Sequence, residues 1–503
     1  MGKTTLGDDR VKRREFLQAS GVFAANLIVG SSTLAIRKAE ADTGLPIAAL
    51  KAALDPKKDL VLVSGAGVPP RFDYNASFSK RKQITPQVRV VASSAQAVGN
   101  TIRWATSNGV NFAIRSGGHS YEGFSQSADL VIDVRGMDAI QLSADRKSVT
   151  IGSGASLGAV YAALEPSGRA IPAGTCFPVG VAGHSLGGGF GLLGRPFGLA
   201  CDSVLSMEVV DASGNILNAS AQENPDLFWA LRGGGNGSFG VVTKFSFRTS
   251  AVNRVAKFAI TWTRPVAQAT KVVMAWQDWL DALPPAITCT LHLTKETGGS
   301  IKVHIAGLSV DSESKLIAEL KRLQKLSGVA DTLSTSTLTF ARAATIFNGG
   351  GPPYESVLMK GKSDYVVEPM SEQGISALLD GLQKAPGEIA VLFDSYGGVI
   401  NNVASDATAF VHRGKTKYLI QYFMQWDSPG ATETHLAMIR TLYTAMRPYV
   451  SGACYVNYCD LDLGEGYARA YWGDNLTRLM KIKAAFDPKN VFRHAQSVPL
   501  AQA

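Results

Sequence analysis

The sequence lacks the features that define several large classes of protein. Its five cysteines include no C-x-x-C pair and are widely spaced, so neither a zinc site nor a disulfide scaffold is predicted. Beyond residue 41, no apolar run reaches the roughly 20 residues that span a bilayer. Basic residues are scattered rather than interleaved with aromatics, so the net charge of +9 does not predict nucleic-acid binding. We find no internal repeat or low-complexity linker.

The composition that is present is typical of a folded globular protein. Hydrophobic residues make up 46% and charged residues 18% of the chain, and 51 glycines indicate many tight loops. A chain of 503 residues is longer than one hydrophobic core usually supports. Two domains are therefore expected.

The first 41 residues have the pattern of an export signal. Arg13 and Arg14 precede an apolar stretch over residues 21–36, and Ala39 and Ala41 provide a small-residue cleavage site. Paired arginines before a modest apolar run are typical of the twin-arginine route, which carries folded proteins. We expect an exported protein, periplasmic or extracellular, that uses the export machinery and has no stable membrane span. A short tail anchor is the alternative.

The hydrophobic pattern changes near residue 250. Up to that point, short apolar strands alternate with helices, as in the strand–helix–strand pattern over residues 88–115. Residues 252–448 contain longer alternating strands, such as residues 418–426, separated by helical stretches. This second region predicts an antiparallel sheet with helices on one face.

Two glycine-flanked loops carry the most informative residues. His119 lies in Arg-Ser-Gly-Gly-His-Ser-Tyr over residues 115–121, and Cys176 lies in Gly-Thr-Cys-Phe-Pro-Val-Gly over residues 174–180. Glycines let the backbone approach a ligand closely, and consecutive N–H groups at residues 116–120 suit a pyrophosphate. One imidazole and one thiol on such loops suggest a covalently held flavin.

Two other motifs occur in the same glycine-rich region. Residues 183–187 match the G-x-S-x-G pattern of hydrolases, which makes a serine hydrolase using Ser185 an alternative. That pattern needs a strand directly before it, and the prolines and glycines of residues 172–180 break such a strand. Residues 189–194 and 235–240 match G-x-G-x-x-G, but neither follows a strand and opens a helix, so a Rossmann site is not expected.

With two further segments, these loops resemble a known family. The loops at residues 115–120 and 176–191, Tyr-Val-Asn-Tyr-Cys-Asp at 455–460 and the tail over 474–497 are similar to berberine-bridge-enzyme-like FAD-linked oxidases. These belong to the vanillyl-alcohol-oxidase superfamily. The resemblance implies an α+β fold, in which residues 42–250 and 450–503 form a two-part FAD-binding domain. Residues 251–449 would form a substrate-binding domain.

The resemblance also implies how FAD is held. His119 would bond the 8α-methyl carbon of the flavin ring and Cys176 ring carbon six, and this bicovalent attachment would raise the reduction potential. A high potential favours poor hydride donors such as a sugar hydroxyl carbon. The remaining cofactor-binding residues are predicted to be Arg115, Ser116, Gly117, Gly118, Ser120, Gly180, Gly183, His184, Gly187, Gly188, Val242 and Asn457.

Tyr458 matches the tyrosine that serves as the base in family members. A free phenol has a pKa of about 10, so a neighbouring group must lower it. The resemblance implies that some plant members do this with a tyrosine at the position of Phe190 and a lysine at that of Leu419. Both positions are apolar here, so that mode of activation is not expected. Asp394 is a candidate helper for the base.

Three residues are predicted to contact the substrate. Tyr121 matches a substrate-contacting tyrosine of carbohydrate-oxidising relatives, while Gln421 and Gln425 share one face of a strand. Val179 matches a gate residue beside the flavin, and a small side chain there leaves room for oxygen.

Together, these patterns predict a monomeric or weakly oligomeric FAD oxidase that acts on an alcohol carbon, most simply a sugar hydroxyl, and forms hydrogen peroxide. The small-molecule substrate and oxygen are its expected partners. Flavin-dependent C–H oxidation of an aromatic or alkaloid-like metabolite is the nearest alternative, and a flavin-storing protein without activity is another. The sequence leaves open whether any of the other four cysteines pair.

Overall fold

The computed structural model describes residues 43–64, 77–348, 356–385 and 387–501. The predicted export signal lies outside these ranges. Within them, every helix is too short or too polar to traverse a lipid bilayer.

The first sheet has four strands in the order β1-β2-β4-β3, which are Leu60–Val63, Val88–Val91, Leu130–Asp133 and Phe112–Arg115. β4 is parallel to both β2 and β3, whereas β1 is antiparallel to β2. The crossover from β2 to β3 is helical, and Ser94 caps that helix by accepting a hydrogen bond from the N–H of Ala97. β3 therefore delivers the first glycine loop at the carboxyl edge of the sheet.

A second, antiparallel sheet has five strands in the order β5-β6-β10-β8-β9. Two further strands, β7 (Arg169–Ala170) and β11 (Ser250–Ala251), pair with each other. The five strands are β5 (Ile140–Leu142), β6 (Ser148–Gly152), β8 (Val204–Val210), β9 (Ile216–Ser220) and β10 (Val241–Arg248).

The third sheet has seven strands, and every neighbouring pair in it is antiparallel. Its order is β15-β12-β14-β13-β17-β18-β16. The strands are β12 (Arg254–Arg264), β13 (Ile287–Lys295), β14 (Ile301–Ser309), β15 (Thr332–Thr339), β16 (Leu358–Val366), β17 (Ile389–Ser395) and β18 (Tyr418–Trp426).

Four helices cover one face of the seven-stranded sheet. Alternate strand residues such as Phe258, Ile260 and Phe393 join helix residues such as Trp276 in one buried cluster. Because strand side chains alternate, the residues between them point to the opposite face. In chain order, the α-helices of the described residues are α1 (Ile47–Ala52), α2 (Ala95–Ser107), α3 (Leu157–Leu164), α4 (Val181–Leu186), α5 (Gly194–Phe197), α6 (Pro225–Ala230), α7 (Val266–Asp281), α8 (Glu313–Ser327), α9 (Phe340–Phe347), α10 (Glu372–Lys384), α11 (Val399–Asn402), α12 (Thr432–Met446), α13 (Tyr467–Trp472) and α14 (Leu476–Phe486). The four helices that cover the sheet are α7, α8, α10 and α12.

The C-terminal segment returns to the N-terminal half of the chain. Trp472 and Leu479 are buried in the same cluster as Phe245 of β10. The buried Lys483 ammonium donates to the carbonyl oxygen of Ser238 at 2.7 Å and to Asp487 at 2.6 Å. This packing agrees with a discontinuous first domain, although the boundaries at residues 250 and 450 stay predictions.

The predicted α+β class and the antiparallel sheet covered by helices are both confirmed. Of the seven strands of the third sheet, β15 and β16 had not been predicted from the sequence. β16 carries Lys360, Lys362 and Asp364, which are typical of exposed positions, yet all three are buried. Their charges are neutralised by tertiary partners that no local pattern reveals.

Candidate functional site

A cavity of about 690 Å³ lies between the glycine loops and the free face of the seven-stranded sheet. The glycine loops that carry His119 and Cys176 both line it, together with residues from β12, β13, β14, β17 and β18. Its size is typical of a small-molecule or cofactor site.

The two glycine loops touch each other at the edge of this cavity. A Cβ on Gly117 would lie 2.2 Å from the backbone nitrogen of Gly180, so this contact admits only glycine at residue 117. Ser116 anchors the first loop by donating from Oγ to the carbonyl oxygen of Ser153 at 2.7 Å. The predicted residues Gly118, Ser120 and Val242 also line the cavity.

His119 lines the cavity with its ring stacked on Phe78, at 4.8 Å between centroids. Burial, with a smaller effect of the Arg115 charge, lowers the pKa of His119 to about 4. The imidazole is therefore neutral near pH 7 and keeps a lone pair for bond formation. Arg115 itself is buried at the end of β3 and does not line the cavity.

Cys176 faces the cavity on the second loop. Its side chain has accessible surface towards the cavity, whereas the surrounding protein raises the pKa of the thiol, chiefly by burial and then by the charge of Asp394. The other four cysteines are buried, and none of the five forms a disulfide within the described part of the chain.

The second loop leads into α4, where His184 is held firmly. Its Nε2 accepts a hydrogen bond from the N–H of Gly174 at 2.9 Å, and burial lowers its pKa to about 4. Asn457 joins this region to the C-terminal segment by donating to the carbonyl oxygen of His184 at 2.9 Å. Gly187 and Gly188 do not line the cavity; they pack against Asn457 and Phe410.

Tyr121 and Tyr458 form a stacked pair at the cavity wall. Their ring centroids are 5.5 Å apart with an interplanar angle of 3°. Gln421 donates from Nε2 to the hydroxyl of Tyr121 at 2.7 Å. Burial and then the charge of Asp394 raise the pKa of Tyr458 well above its ordinary value. Within the described part of the chain, the groups that shift the pKa of Tyr458 all favour the neutral phenol over a tyrosinate.

Asp394 lies on β17 with its carboxyl group facing the cavity. Burial raises its pKa to about 7, although a hydrogen bond from Thr290 Oγ1 at 3.0 Å acts in the opposite direction. Its neighbour in register on β18 is Leu419, and Phe190 stacks on Tyr396. A carboxyl group with this pKa can exchange a proton near neutral pH.

A buried ion cluster lies next to the stacked tyrosines and involves residues close to both of them in the sequence. Lys360 lies 2.5 Å from both Glu122, which follows Tyr121, and Asp460, which is two residues after Tyr458. Lys362 lies 2.6 Å from Asp460. Burial opposes the charge of Lys360, but the two carboxylates outweigh it and raise its pKa. The cluster thus joins β16 to both segments that carry the tyrosines.

Gln425 does not reach the cavity. It lies on the same strand face as Gln421, as the period of two predicted, but its side chain is exposed beyond the cavity lining. Val179 does line the cavity beside Cys176.

Several cavity residues had not been selected from the sequence. Lys257, Thr290, His292 and His304 line it from β12, β13 and β14. The alternation of polar and apolar residues along residues 287–295 was the available signal. It indicated a polar face, whereas only the sheet order shows that this face meets the glycine loops.

The geometry argues against the hydrolase alternative. Ser185 lies inside α4, is 1% exposed, and its hydroxyl group has no hydrogen-bond partner among the described residues. It does not sit on a strand-to-helix turn at the cavity. Likewise, residues 189–194 and 235–240 are not placed between a strand and a following helix as a Rossmann site requires.

The cavity fits FAD on its own chemistry. A Cβ on Gly183 would meet nothing within 4 Å, which leaves open space above the start of α4. Asn236 Oδ1 and Ser125 Oγ belong to cavity-lining residues and have no hydrogen-bond partner among the described residues. Glycine loops for a pyrophosphate and unsatisfied polar atoms match a long polar cofactor.

Comparisons with known proteins agree with this fit. Residues 86–220 match the family described as FAD binding domain, and residues 454–499 match the family described as berberine and berberine like. The chain is 36% identical over 423 residues to the FAD-linked oxidoreductase YgaK of Bacillus subtilis, covering 82% of this chain and 91% of that protein.

Two further relatives differ in what their names say of their substrates. The monolignol oxidoreductase AtBBE-like 13 of Arabidopsis thaliana is 33% identical over 430 residues, covering 78% of this chain and 79% of that one. The structure of a chitooligosaccharide oxidase superposes with a TM-score of 0.81 at 25% identity, covering 90% of this chain and 100% of that chain. The fold is that of the vanillyl-alcohol-oxidase type, and FAD-dependent oxidation is common to these relatives. The chain belongs to the berberine-bridge-enzyme-like family of FAD-linked oxidoreductases.

Proposed function

We propose that the protein is an exported FAD-dependent oxidase that oxidises an alcohol carbon of a sugar or oligosaccharide and reduces oxygen to hydrogen peroxide. One observation carries the proposal: a single cavity is lined by His119 and Cys176 on its loop side and by Tyr458, Asp394 and Gln421 on the other. The residues proposed to attach the cofactor and those proposed to handle the proton line the same cavity.

FAD would be held through both His119 and Cys176. The bound flavin would accept the hydride from the alcohol carbon. The neutral state of His119 supports its role, because a protonated imidazole has no lone pair with which to form a bond. The loops at residues 116–120 and 180–184 would hold the remaining parts of the cofactor, with Asn457 bracing the second loop.

Tyr458 and Asp394 would share the handling of the hydroxyl proton. A permanent tyrosinate is unfavourable, because burial and the Asp394 charge both raise the pKa of Tyr458. The pKa of Asp394, about 7, suits a group that must hold a proton and then release it. We therefore assign Tyr458 to the contact with the substrate hydroxyl and Asp394 to the charge balance during proton removal.

The polar sheet face favours a substrate with several hydroxyl groups. Thr290, Asp394 and Gln421 offer donors and acceptors along three neighbouring strands, and Tyr121 supplies an aromatic surface. The similarity to a chitooligosaccharide oxidase supports the same substrate class. Val179 leaves space beside Cys176, which favours oxygen as the electron acceptor.

Oxidation of an aromatic alcohol or alkaloid-like metabolite is the second candidate. Phe78, Phe190 and Phe347 also line the cavity and would pack against an aromatic ring. The similarity to a monolignol oxidoreductase points the same way.

Anaerobic reduction of the flavin tests the proposal. We expect reducing disaccharides to bleach the flavin absorbance, and readmitted oxygen to restore it with release of hydrogen peroxide. Bleaching by coniferyl alcohol alone would favour the second candidate. A yellow protein that no donor bleaches would be a flavin-storing protein, and a colourless protein would contradict the cofactor assignment.

A further inference from the structure

One residue of β16, Gly361, lies directly beside the ring of Tyr121. A Cβ on Gly361 would lie 2.6 Å from Cε2 and 2.7 Å from Cδ2 of Tyr121, the two atoms of one edge of the ring. Non-bonded carbon atoms pack at about 3.5 Å or more, so the ring would have to move by about 1 Å to make room for a side chain at residue 361. The present position of Tyr121 therefore depends on glycine at this place.

The backbone at Gly361 does not itself require glycine. Gly361 is not among the glycines with a positive φ, and it pairs in antiparallel register with Phe423 of β18. A glycine inside a strand weakens that strand, and it often marks a place where another group approaches closely. Here the approaching group is the edge of the Tyr121 ring.

Three contacts from three segments fix the Tyr121 ring. Its edge meets Gly361, its face stacks on Tyr458 with 5.5 Å between centroids, and its hydroxyl oxygen accepts a hydrogen bond from Gln421 at 2.7 Å. Gln421 lies two residues from Phe423, the register partner of Gly361, so both side chains lie on one face of β18. A shift of the ring away from Gly361 would therefore change the stack and the hydrogen bond together.

The neighbours of Gly361 hold β16 against the segments that carry the stacked tyrosines. The buried ion cluster around Lys360 joins β16 to both of these segments. On the other side of Gly361, Ser363 Oγ accepts a hydrogen bond from the N–H of Tyr455 at 3.0 Å. Tyr455 packs edge to face on Tyr458, with 5.0 Å between centroids. The position of Gly361 is therefore fixed relative to the pair.

We propose that Gly361 is a positioning residue: its missing side chain leaves a slot for the ring edge of Tyr121, and this slot holds Tyr121 parallel to Tyr458. The inference rests on the proposed function, in which Tyr458 contacts the substrate hydroxyl. A misplacement of reacting groups by about 1 Å can lower a rate by about 100-fold. Gly361 itself does not line the cavity, so it acts through the tyrosine pair.

Gly361→Ala tests the slot by placing one methyl group in it. Anaerobic flavin reduction, with a donor that bleaches the unchanged protein, should slow by at least about tenfold while the flavin content stays the same. Gly466→Ala is the matched control, because Gly466 is exposed, has a φ of −72° and offers a Cβ open space within 4 Å. The control should keep its rate. A slowing of less than about twofold in Gly361→Ala would overturn the proposal.

A cycle of double variants shows whether Gly361 acts through the Tyr121 ring. Gly361→Ala should lower the urea midpoint of the FAD-containing protein beside Tyr121 and also beside Tyr121→Phe, because both keep the ring. Beside Tyr121→Ala the slot is empty, and Gly361→Ala should raise the midpoint, since alanine is less costly than glycine within a strand. A general effect on folding would have the same sign in all three backgrounds, and that result would contradict the slot.

The same cycle covers a variant that does not fold. If Gly361→Ala alone gives no folded protein, Gly361→Ala/Tyr121→Ala should fold, because the ring that meets the methyl group is gone. Failure of that double variant, with Tyr121→Ala itself folded, would count against the slot.

The two measurements separate this proposal from the one on which it rests. The urea cycle needs no donor, so the slot can stand even if no alcohol bleaches the flavin and the oxidase function fails. If a donor bleaches the flavin but the midpoint shows no change of sign, the function stands and the slot fails.

Discussion

The two walls of the cavity are built by different means. The loop wall, residues 115–121 and 174–191, consists of consecutive residues whose glycines let two backbones touch, as at Gly117 and Gly180. The sheet wall consists of alternate side chains on separate strands, and the strand register brings them together, as for Thr290 and Asp394, which lie opposite each other on β13 and β17. The residues of the loop wall can therefore be recognised in the sequence as a motif, whereas those of the sheet wall can be recognised only once the strand order is known.

The largest effect is expected from removing His119 and Cys176 from the loop wall. The double variant His119→Ala/Cys176→Ala removes both proposed attachment points, so acid precipitation should give a colourless pellet where the unchanged protein gives a yellow one. The single variants should each keep one bond and remain yellow. A colourless pellet from the unchanged protein, after expression with ample riboflavin, would contradict covalent attachment.

The next largest effect is expected from removing Lys360 from the buried ion cluster that joins β16 to the segments carrying Tyr121 and Tyr458. Lys360→Met leaves the buried Glu122 and Asp460 without one of their cations, which typically costs about 3 kcal/mol. We expect a lower free energy of unfolding by this order in urea titrations. Lys325→Met, on the exposed side of α8, should change it by less than about 0.5 kcal/mol. An equally small effect at Lys360 would mean that the cluster does not hold the walls together.

Tyr458→Phe tests the contact with the substrate hydroxyl. Loss of the phenol should slow anaerobic flavin reduction by about 100-fold while the flavin remains bound. Tyr449→Phe, outside the cavity lining, is the matched control and should be neutral. An unchanged rate in Tyr458→Phe would remove this residue from the mechanism.

Asp394→Asn tests the proton-holding role on the sheet wall. In the unchanged protein, flavin reduction should rise with pH through about 7, where Asp394 ionises. The variant should be slower by about 30-fold and lack that rise. The same rise in the variant would assign the ionisation to another group.

The raised pKa of Asp394 also predicts how the stability difference between Asp394→Asn and the unchanged protein changes with pH. The pKa of Asp394 is raised in the folded state, from 3.8 to about 7, so only the unfolded chain loses this proton between those values. The unchanged protein therefore loses stability as pH rises through this window. Thermal unfolding should show Asp394→Asn gaining stability relative to it from pH 4 to pH 7. A constant difference would contradict the raised pKa.

The smallest effect is expected at Gln421, and a comparison with Gln425 on the same strand tests it. Gln421→Ala loses the hydrogen bond to Tyr121 and should lower kcat/KM by about tenfold. Gln425→Ala, with an exposed side chain outside the cavity, should leave kcat/KM unchanged. Equal losses at both positions would indicate that the sheet wall extends further than the cavity lining does.

Prediction from the sequence was most successful where the determinants are local. The strand–helix–strand pattern predicted over residues 88–115 forms β2, α2 and β3, because Ser94 caps the start of the helix and its apolar residues recur on one buried face. β16 was missed, because Lys360 and Lys362 resemble exposed residues until Glu122 and Asp460 are seen beside them. Similarly, the pairing of Tyr121 with Gln421 spans 300 positions and depends on how two segments meet.

The sequence alone determined that two glycine loops carry an imidazole and a thiol, and that an antiparallel sheet with one polar face follows them. Close approach of backbones requires glycine, and alternation along a strand has a period of two residues. Both properties can therefore be recognised in short stretches of the sequence. Only the tertiary structure decided that this polar face closes the cavity opposite the loops, and that Asp394 is buried enough to raise its pKa to about 7. Burial depends on what packs around a group, and that is a property of the whole fold.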